Sequence, residues 1–350
     1  MIFVNARFLT QPITGVQRFA IETSFELLKS NPSVRFVTPK QILHREVADQ
    51  LNIIQTGKGT GHFWEQFSLP SFLRKQGKHI LLNLCNTAPL RHPRNVVVIH
   101  DLAFHSHPEW FTKTFAAWYN FLIPQVARSA SLILTVSEFS KREIVQAWPE
   151  TKEKIINVGN GLATVFRTAE PGSTKGRDEK IVLAFAGNNP RKNVSIVING
   201  FKKLNDANCR LLLLGRHSNT FKSTISDELS DSRIELKADI SDSELISYYK
   251  KADLLIYPSK YEGFGLPPLE ALKFGCPSLL SDIPVFREIY NSSAFFLKQE
   301  TDEGVCIGIQ DALNNRAEAE RRVQHGKGLL EKYTFRQVAN NILSAVETLD

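Results

Sequence analysis

In Leu254-Leu-Ile-Tyr-Pro-Ser-Lys-Tyr-Glu-Gly-Phe-Gly-Leu-Pro-Pro-Leu-Glu-Ala-Leu272 an apolar run gives way, through two glycines and two prolines, to a helical pattern. Leu254–Tyr257 reads as a buried parallel strand. Gly263 and Gly265 allow close backbone approach, and Pro267 and Pro268 suit a helix's first turn, where a missing N–H costs little. Such a strand, glycine turn and helix start offers a phosphate a set of N–H groups at the positive end of the helix dipole. Glu262, just before the glycines, and Glu270, about one turn into the helix, are acceptors suited to paired sugar hydroxyls. On its own a G-x-G reads first as a turn with a helix-capping acid; the rest of the chain has to decide.

The same habit recurs along the chain. Ile2–Val4, Ile80–Leu84, Val96–Ile99 and Leu132–Val136 in the first half, and Ile181–Ala186, Leu211–Leu214, Ile234–Leu236, Leu254–Tyr257 and Ser278–Leu280 in the second, are short apolar runs followed by helical patterns. Each half therefore reads as an open, doubly wound parallel sheet of the α/β class. Between them Glu170-Pro-Gly-Ser-Thr-Lys-Gly-Arg-Asp-Glu179 reads as a linker. A length of 350 residues suits two domains. The expected division is 1–169, 170–332, and a last helix over 333–350 with Val338, Ile342 and Leu343 on one face.

Composition narrows the function. Lys and Arg number 43 against 36 Asp and Glu, a net charge of +7 spread along the chain rather than gathered in a block. An anionic ligand or membrane surface fits better than nucleic acid. Cys85, Cys209, Cys276 and Cys306 form no C-x-x-C, so neither a zinc knuckle nor a disulfide framework is indicated, and a reducing compartment fits. Asn5 and Arg7 interrupt any signal-peptide core, and no run approaches the roughly 18 apolar residues of a membrane span. A cytoplasmic protein is expected, with any membrane contact peripheral. His100, His105 and His107 fit no strong metal motif, and Ser137 reads as a helix N-cap rather than a nucleophile.

Upstream, the strand Ile181–Ala186 ends in Gly187-Asn-Asn-Pro-Arg-Lys-Asn193, which puts Arg191 and Lys192 at the start of another helix. Cations sit poorly against a helix's positive end unless an anion is supplied. With Glu262 and Glu270 in an E-x7-E element, these residues resemble the retaining glycosyltransferases of family four, the glycosyl transferases group 1. The resemblance runs over essentially the whole chain and includes Thr14-Gly-Val-Gln-Arg18, Val98-Ile-His-Asp-Leu102, Thr135-Val-Ser-Glu138, Asn160-Gly161 and Ser241-Asp-Ser-Glu-Leu245.

The resemblance implies a GT-B fold: two Rossmann-like doubly wound domains facing across a cleft, the first binding acceptor and the second the nucleotide sugar. It implies retention of anomeric configuration with no divalent metal and no cofactor, and the chain contains no D-x-D. Carried over, Glu270 grips the nucleotide's ribose and Glu262 holds the transferred sugar. Arg191, Lys192 and the backbone of Gly263, Phe264, Gly265 and Leu266 face the diphosphate, and Asp239 and Ile240 contact the base. Gly15 approaches the phosphates, and His100 sits beside the anomeric carbon. Asn188 stands where many members carry Arg or Thr, Ala163 replaces an acid, and Ala238 replaces a glycine of the base loop.

The expected donor is a UDP- or GDP-sugar. The expected acceptor is a glycan of O-antigen, capsule or exopolysaccharide type, carried in one form on a polyprenyl diphosphate. Phe63-Trp-Glu-Gln-Phe-Ser-Leu-Pro-Ser-Phe-Leu-Arg-Lys75 and Trp110-Phe-Thr-Lys-Thr-Phe-Ala-Ala-Trp-Tyr119 mix aromatics with cations, as a lipid-facing element does and as ordinary core packing also does. Rival readings are a GT-B epimerase or phosphorylase, and a non-catalytic nucleotide-binding partner subunit. A two-carboxylate glycosidase would leave the phosphate loop unexplained.

Overall fold

The structure, a computed structural model, describes residues 1–172, 179–187, 189–215 and 231–349. The chain forms two units, Met1–Ala163 with Tyr333–Asp350, and Thr164–Lys332.

Among the described residues the first unit holds a parallel sheet of seven strands in the order β3-β2-β1-β4-β5-β6-β7. They are β1 (Ile2–Asn5), β2 (Arg35–Thr38), β3 (Ile54–Gln55), β4 (Ile80–Asn83), β5 (Asn95–Val98), β6 (Leu132–Thr135) and β7 (Ile155–Asn157). The second unit holds six, in the order β10-β9-β8-β11-β12-β13. These are β8 (Lys180–Phe185), β9 (Cys209–Gly215), β10 (Ile234–Ala238), β11 (Leu254–Tyr257), β12 (Ser278–Leu280) and β13 (Phe295–Phe296). Every strand pair is parallel, which requires a crossover for each connection. The central strands β4, β5, β6 and β11 are buried along their length, which is why they read as unbroken apolar runs. Both sheets are of the expected Rossmann-like, doubly wound kind.

The strands absent from the sequence reading are β2, β3, β7 and β13. β3, β7 and β13 lie at sheet edges and span two or three residues. At that length neither alternation nor an apolar run has room to develop.

The second unit begins at Thr164, not at 170. The helix Thr164–Thr168 buries Phe166, only 1% exposed, edge-on to Tyr249 at 6.4 Å, so it packs with the second sheet's helices. Residues 173–178 of the expected linker lie outside the described residues. At the other end the helix Phe335–Glu347 packs on the first unit's helix Gly15–Ser30, with Phe335 at 5.9 Å from Phe19. Gly161 is required there, because a Cβ would fall 2.5 Å from the Phe335 backbone nitrogen. Val338 and Ile342 are buried and Leu343 half-buried. No helix among the described residues is long and apolar enough to cross a membrane.

Candidate active site

The carboxyl end of β11 carries a buried polar cluster. The turn after Tyr257 brings Glu262, 7% exposed, back beneath the strand end. Glu262 Oε1 accepts from the Tyr257 hydroxyl at 2.7 Å, the Ser259 hydroxyl at 2.9 Å and the Lys192 ammonium at 3.0 Å. Its Oε2 lies 3.4 Å from Arg191 Nη1. Burial pulls the carboxyl pKa up, but Arg191, Lys192 and the Tyr257 hydrogen bond outweigh it, and the group titrates at about 2. Glu262 is a carboxylate at any physiological pH.

Two cations share that carboxylate. Burial lowers the Lys192 pKa while Glu262 raises it; Lys192 also donates to the Tyr257 hydroxyl. Burial and the neighbouring Glu262 push the Tyr257 phenol well above 10. The loops are fixed to one another by the Lys260 N–H, which donates to Arg191 O at 2.9 Å. Arg191 and Lys192 sit in the 3-10 turn Pro190–Lys192, ahead of the helix Val194–Lys202 rather than within it. Asn189 Oδ1 accepts from the Arg191 N–H at 2.9 Å and Asn193 takes φ 53°, the left-handed step that starts the following helix.

The helix after the glycines spans Leu266–Lys273, with Gly265 as N-cap at φ 85°. The N–H groups that a helix start leaves outside its ladder are here those of the N-cap Gly265 and of Leu266, Pro267 and Pro268, so two of the four do not exist. The donors left for an anion are those of Gly265 and Leu266. The Tyr290 hydroxyl donates to Gly265 O at 2.5 Å and holds that turn. Phe264 is buried, 4% exposed. Glu270, 9% exposed, accepts from the Tyr249 hydroxyl at 2.9 Å. Its charge also reaches Lys192, whose pKa it raises.

Asp239 follows β10 with φ 51° and donates its N–H to Gly215 O at 2.9 Å, tying the ends of β9 and β10 together. Asp239 is exposed and Ile240 half-buried. Asn188 lies outside the described residues.

In the first unit, His100 follows β5 and is 6% exposed. Its Nε2 lies 2.9 Å from Leu84 O, an oxygen that only accepts, so Nε2 carries the proton. Burial lowers the imidazole pKa, with the Leu84 bond and Asp101 opposing, and the ring is the neutral Nε2–H tautomer with Nδ1 as its acceptor. Phe19 meets the ring edge-on at 4.8 Å, and Asn86 Oδ1 accepts from the His100 N–H at 2.8 Å. Gly15 opens its helix after Thr14, whose N–H donates to Gln17 Oε1 at 3.2 Å. It is exposed, and a Cβ there would meet nothing within 4 Å. Ser137 Oγ accepts from the Ser140 N–H at 3.0 Å, the N-cap role expected of it.

Sequence reasoning missed Tyr249, Tyr257, Ser259 and Tyr290. Tyr257 and Ser259 border Pro258 at a strand's carboxyl end, a position that could have marked them. Tyr249 reaches Glu270 from a separate helix, Asp242–Lys251, and no local pattern joins the two.

Residues 166–328 match the family described as Glycosyl transferases group 1. Over 288 residues the chain is 26% identical to the O-antigen chain mannosyltransferase RfbU of Salmonella typhimurium, an alignment covering 81% of this chain and 77% of the relative. It is 23% identical over 374 residues to the O-antigen chain mannosyltransferase B of Escherichia coli, covering 97% of each. The solved structure of Anabaena HepE in complex with UDP and glucose aligns at a TM-score of 0.73 and 15% identity, covering 99% of this chain and 98% of that one. That likeness speaks for the fold, which is GT-B. A sheet-end cluster of two cations and two carboxylates lies inside residues 166–328, the segment over which the chain is similar to the glycosyl transferases group 1.

Proposed function

We propose that this protein moves a hexosyl group from a UDP- or GDP-sugar to a glycan acceptor, with retention and without a divalent metal. The observation that carries the reading is the Glu262 carboxylate held between Arg191 and Lys192 next to a helix start. A leaving diphosphate needs positive charge placed before the bond breaks, and Arg191, Lys192 and the N–H groups around Leu266 supply it. Glu262, ionised and fixed by Tyr257 and Ser259, accepts hydroxyls of the transferred sugar. Glu270, steadied by Tyr249, accepts the ribose hydroxyls. We assign Asp239 and Ile240 to the base, and Asn188 and Gly15 keep the phosphate-side roles that the resemblance implies. His100 works as a hydrogen-bond acceptor through Nδ1, since its proton is committed to Leu84. It therefore stabilises a sugar hydroxyl or developing positive charge and does not act as a proton donor.

The relatives' names favour mannose as the sugar and an O-antigen-type, lipid-linked saccharide as the acceptor, which would place the enzyme at the cytoplasmic face of a membrane. The first unit would then be the acceptor-binding domain and the second the donor-binding domain.

The reading is tested by calorimetry and thermal shift with UDP, GDP, ADP and their sugar conjugates in EDTA. Selective binding of one nucleoside diphosphate, lost in Lys192→Ala, is expected, because a bound ligand stabilises the fold by mass action. No binding across the panel would sink the transferase reading in favour of a non-catalytic partner.

A further inference from the structure

His100 is gripped from several sides, and one short loop supplies two of the contacts. Its ring meets Phe19 and its carbonyl accepts from the Ser140 hydroxyl at 3.0 Å. Its main-chain N–H and its Nε2–H are both taken by residues 84–86, through Asn86 Oδ1 and Leu84 O. That loop leaves β4, the sheet neighbour of β5, and His100 lies just beyond β5, so the two strand ends are stitched together at the carboxyl edge of the sheet. The Asn86 N–H adds a further stitch by donating to Val98 O at 2.9 Å.

Holding the loop in this shape carries a cost. Asn86 takes φ 58°, and the Thr87 N–H donates back to Cys85 O at 2.6 Å, closing a three-residue turn about a left-handed residue. Such turns are rare and strained, and strain persists only where the surroundings impose it. Here a buried ion pair does so. Arg7 and Glu65, 6% and 1% exposed, lie 3.1 Å apart, and Thr87, the next residue of the loop, is bonded to both. Its hydroxyl accepts from Arg7 Nη2 at 2.8 Å and donates to Glu65 Oε1 at 3.0 Å. A buried ion pair adds little stability over apolar residues of similar volume, but this one fixes a loop in one place. Strain marks the other candidate site as well: Asn193 and Asp239, also at positive φ, belong to the loops of the second unit's cluster.

We infer that Asn86 is a positioning residue for the transfer reaction: it holds His100 so that Leu84 O takes the Nε2 proton and Nδ1 stays available as the acceptor. The inference rests on the transferase reading of His100. Glycine would supply the left-handed turn at no steric cost, so what asparagine adds at this position is the oxygen on the His100 N–H.

Asn86→Gly keeps the turn and removes that oxygen, and Asn86→Asp keeps an oxygen in its place. In Asn86→Gly kcat should fall by about tenfold or more, with the KM for the nucleotide sugar and the calorimetric Kd for the nucleoside diphosphate unchanged. Asn86→Asp should regain most of kcat. In a His100→Ala background the glycine substitution should cost about twofold or less, because a residue that acts through His100 has nothing left to act on. An equal cost in both backgrounds means a purely structural role and would overturn the inference. Proton–nitrogen NMR on protein carrying isotope-labelled histidine reads the ring directly. The Nε2-bound proton of His100, assigned by its absence in His100→Ala, should be protected from solvent exchange in the parent and in Asn86→Asp, and lost in Asn86→Gly. An unchanged signal in Asn86→Gly would overturn the inference, as would a lost signal with parental kcat. Failure of the transferase reading shows itself differently, by a parent chain that neither binds a nucleoside diphosphate nor turns over whatever the spectrum, and the inference then falls with it.

Discussion

The Lys192 ammonium stands 3.0 Å from Glu262 Oε1, and the Arg191 guanidinium 3.4 Å from Oε2 of the same carboxylate. The two cations proposed for the diphosphate are thus held in place by the residue proposed for the sugar. Glu262→Ala frees both cations, so nucleoside diphosphate binding should persist while transfer falls by about 100-fold or more. Calorimetry beside turnover checks this; a variant with parental turnover would remove Glu262 from the reaction.

Glu270, whose charge reaches Lys192, accepts from the Tyr249 hydroxyl at 2.9 Å. Glu270→Ala should weaken nucleoside diphosphate binding by about 10- to 100-fold, the worth of hydrogen bonds to a charged group. Tyr249→Phe keeps the carboxylate and should cost much less. Equal losses in the two variants would mean that Glu270 acts through packing and not through the ribose.

Gly265 holds φ 85°, and a Cβ there would lie 2.4 Å from Phe286 Cε1. Gly265→Ala should destabilise the second unit by about 1–3 kcal/mol from backbone strain, with the steric clash added to it. The double variant Gly265→Ala/Phe286→Leu should recover the steric part and leave the strain. Urea midpoints of the four proteins in the cycle measure both.

Burial and the nearby His79 lower the His92 pKa from 6.5 to about 4. Between those values the unfolded chain binds more protons than the folded one. The stabilisation is fully present above pH 6.5 and is lost as pH falls through 4. The urea midpoint should therefore drop between pH 7 and pH 4.5, and the drop should shrink in His92→Gln. It should not vanish, because buried His100 is lowered in the same direction. An identical pH slope in the variant would show that His92 is not the group responsible.

What the sequence by itself determined was the local grammar. Unbroken apolar runs such as Leu254–Tyr257 and Leu132–Thr135 belong to strands buried on both faces, so their identity is written in consecutive residues. Gly265 and Pro267 likewise announce the helix start that they build, and the order of Arg191, Lys192, Glu262 and Glu270 was enough to suggest sugar-nucleotide chemistry. Tertiary structure decided which side chains meet. That one carboxylate serves both cations and that Tyr249 reaches Glu270 are facts of spatial assembly. The boundary at Thr164 depends on Phe166 finding Tyr249. Each of these joins residues far apart in sequence, and burial and hydrogen bonding across such distances leave no periodic trace in the chain.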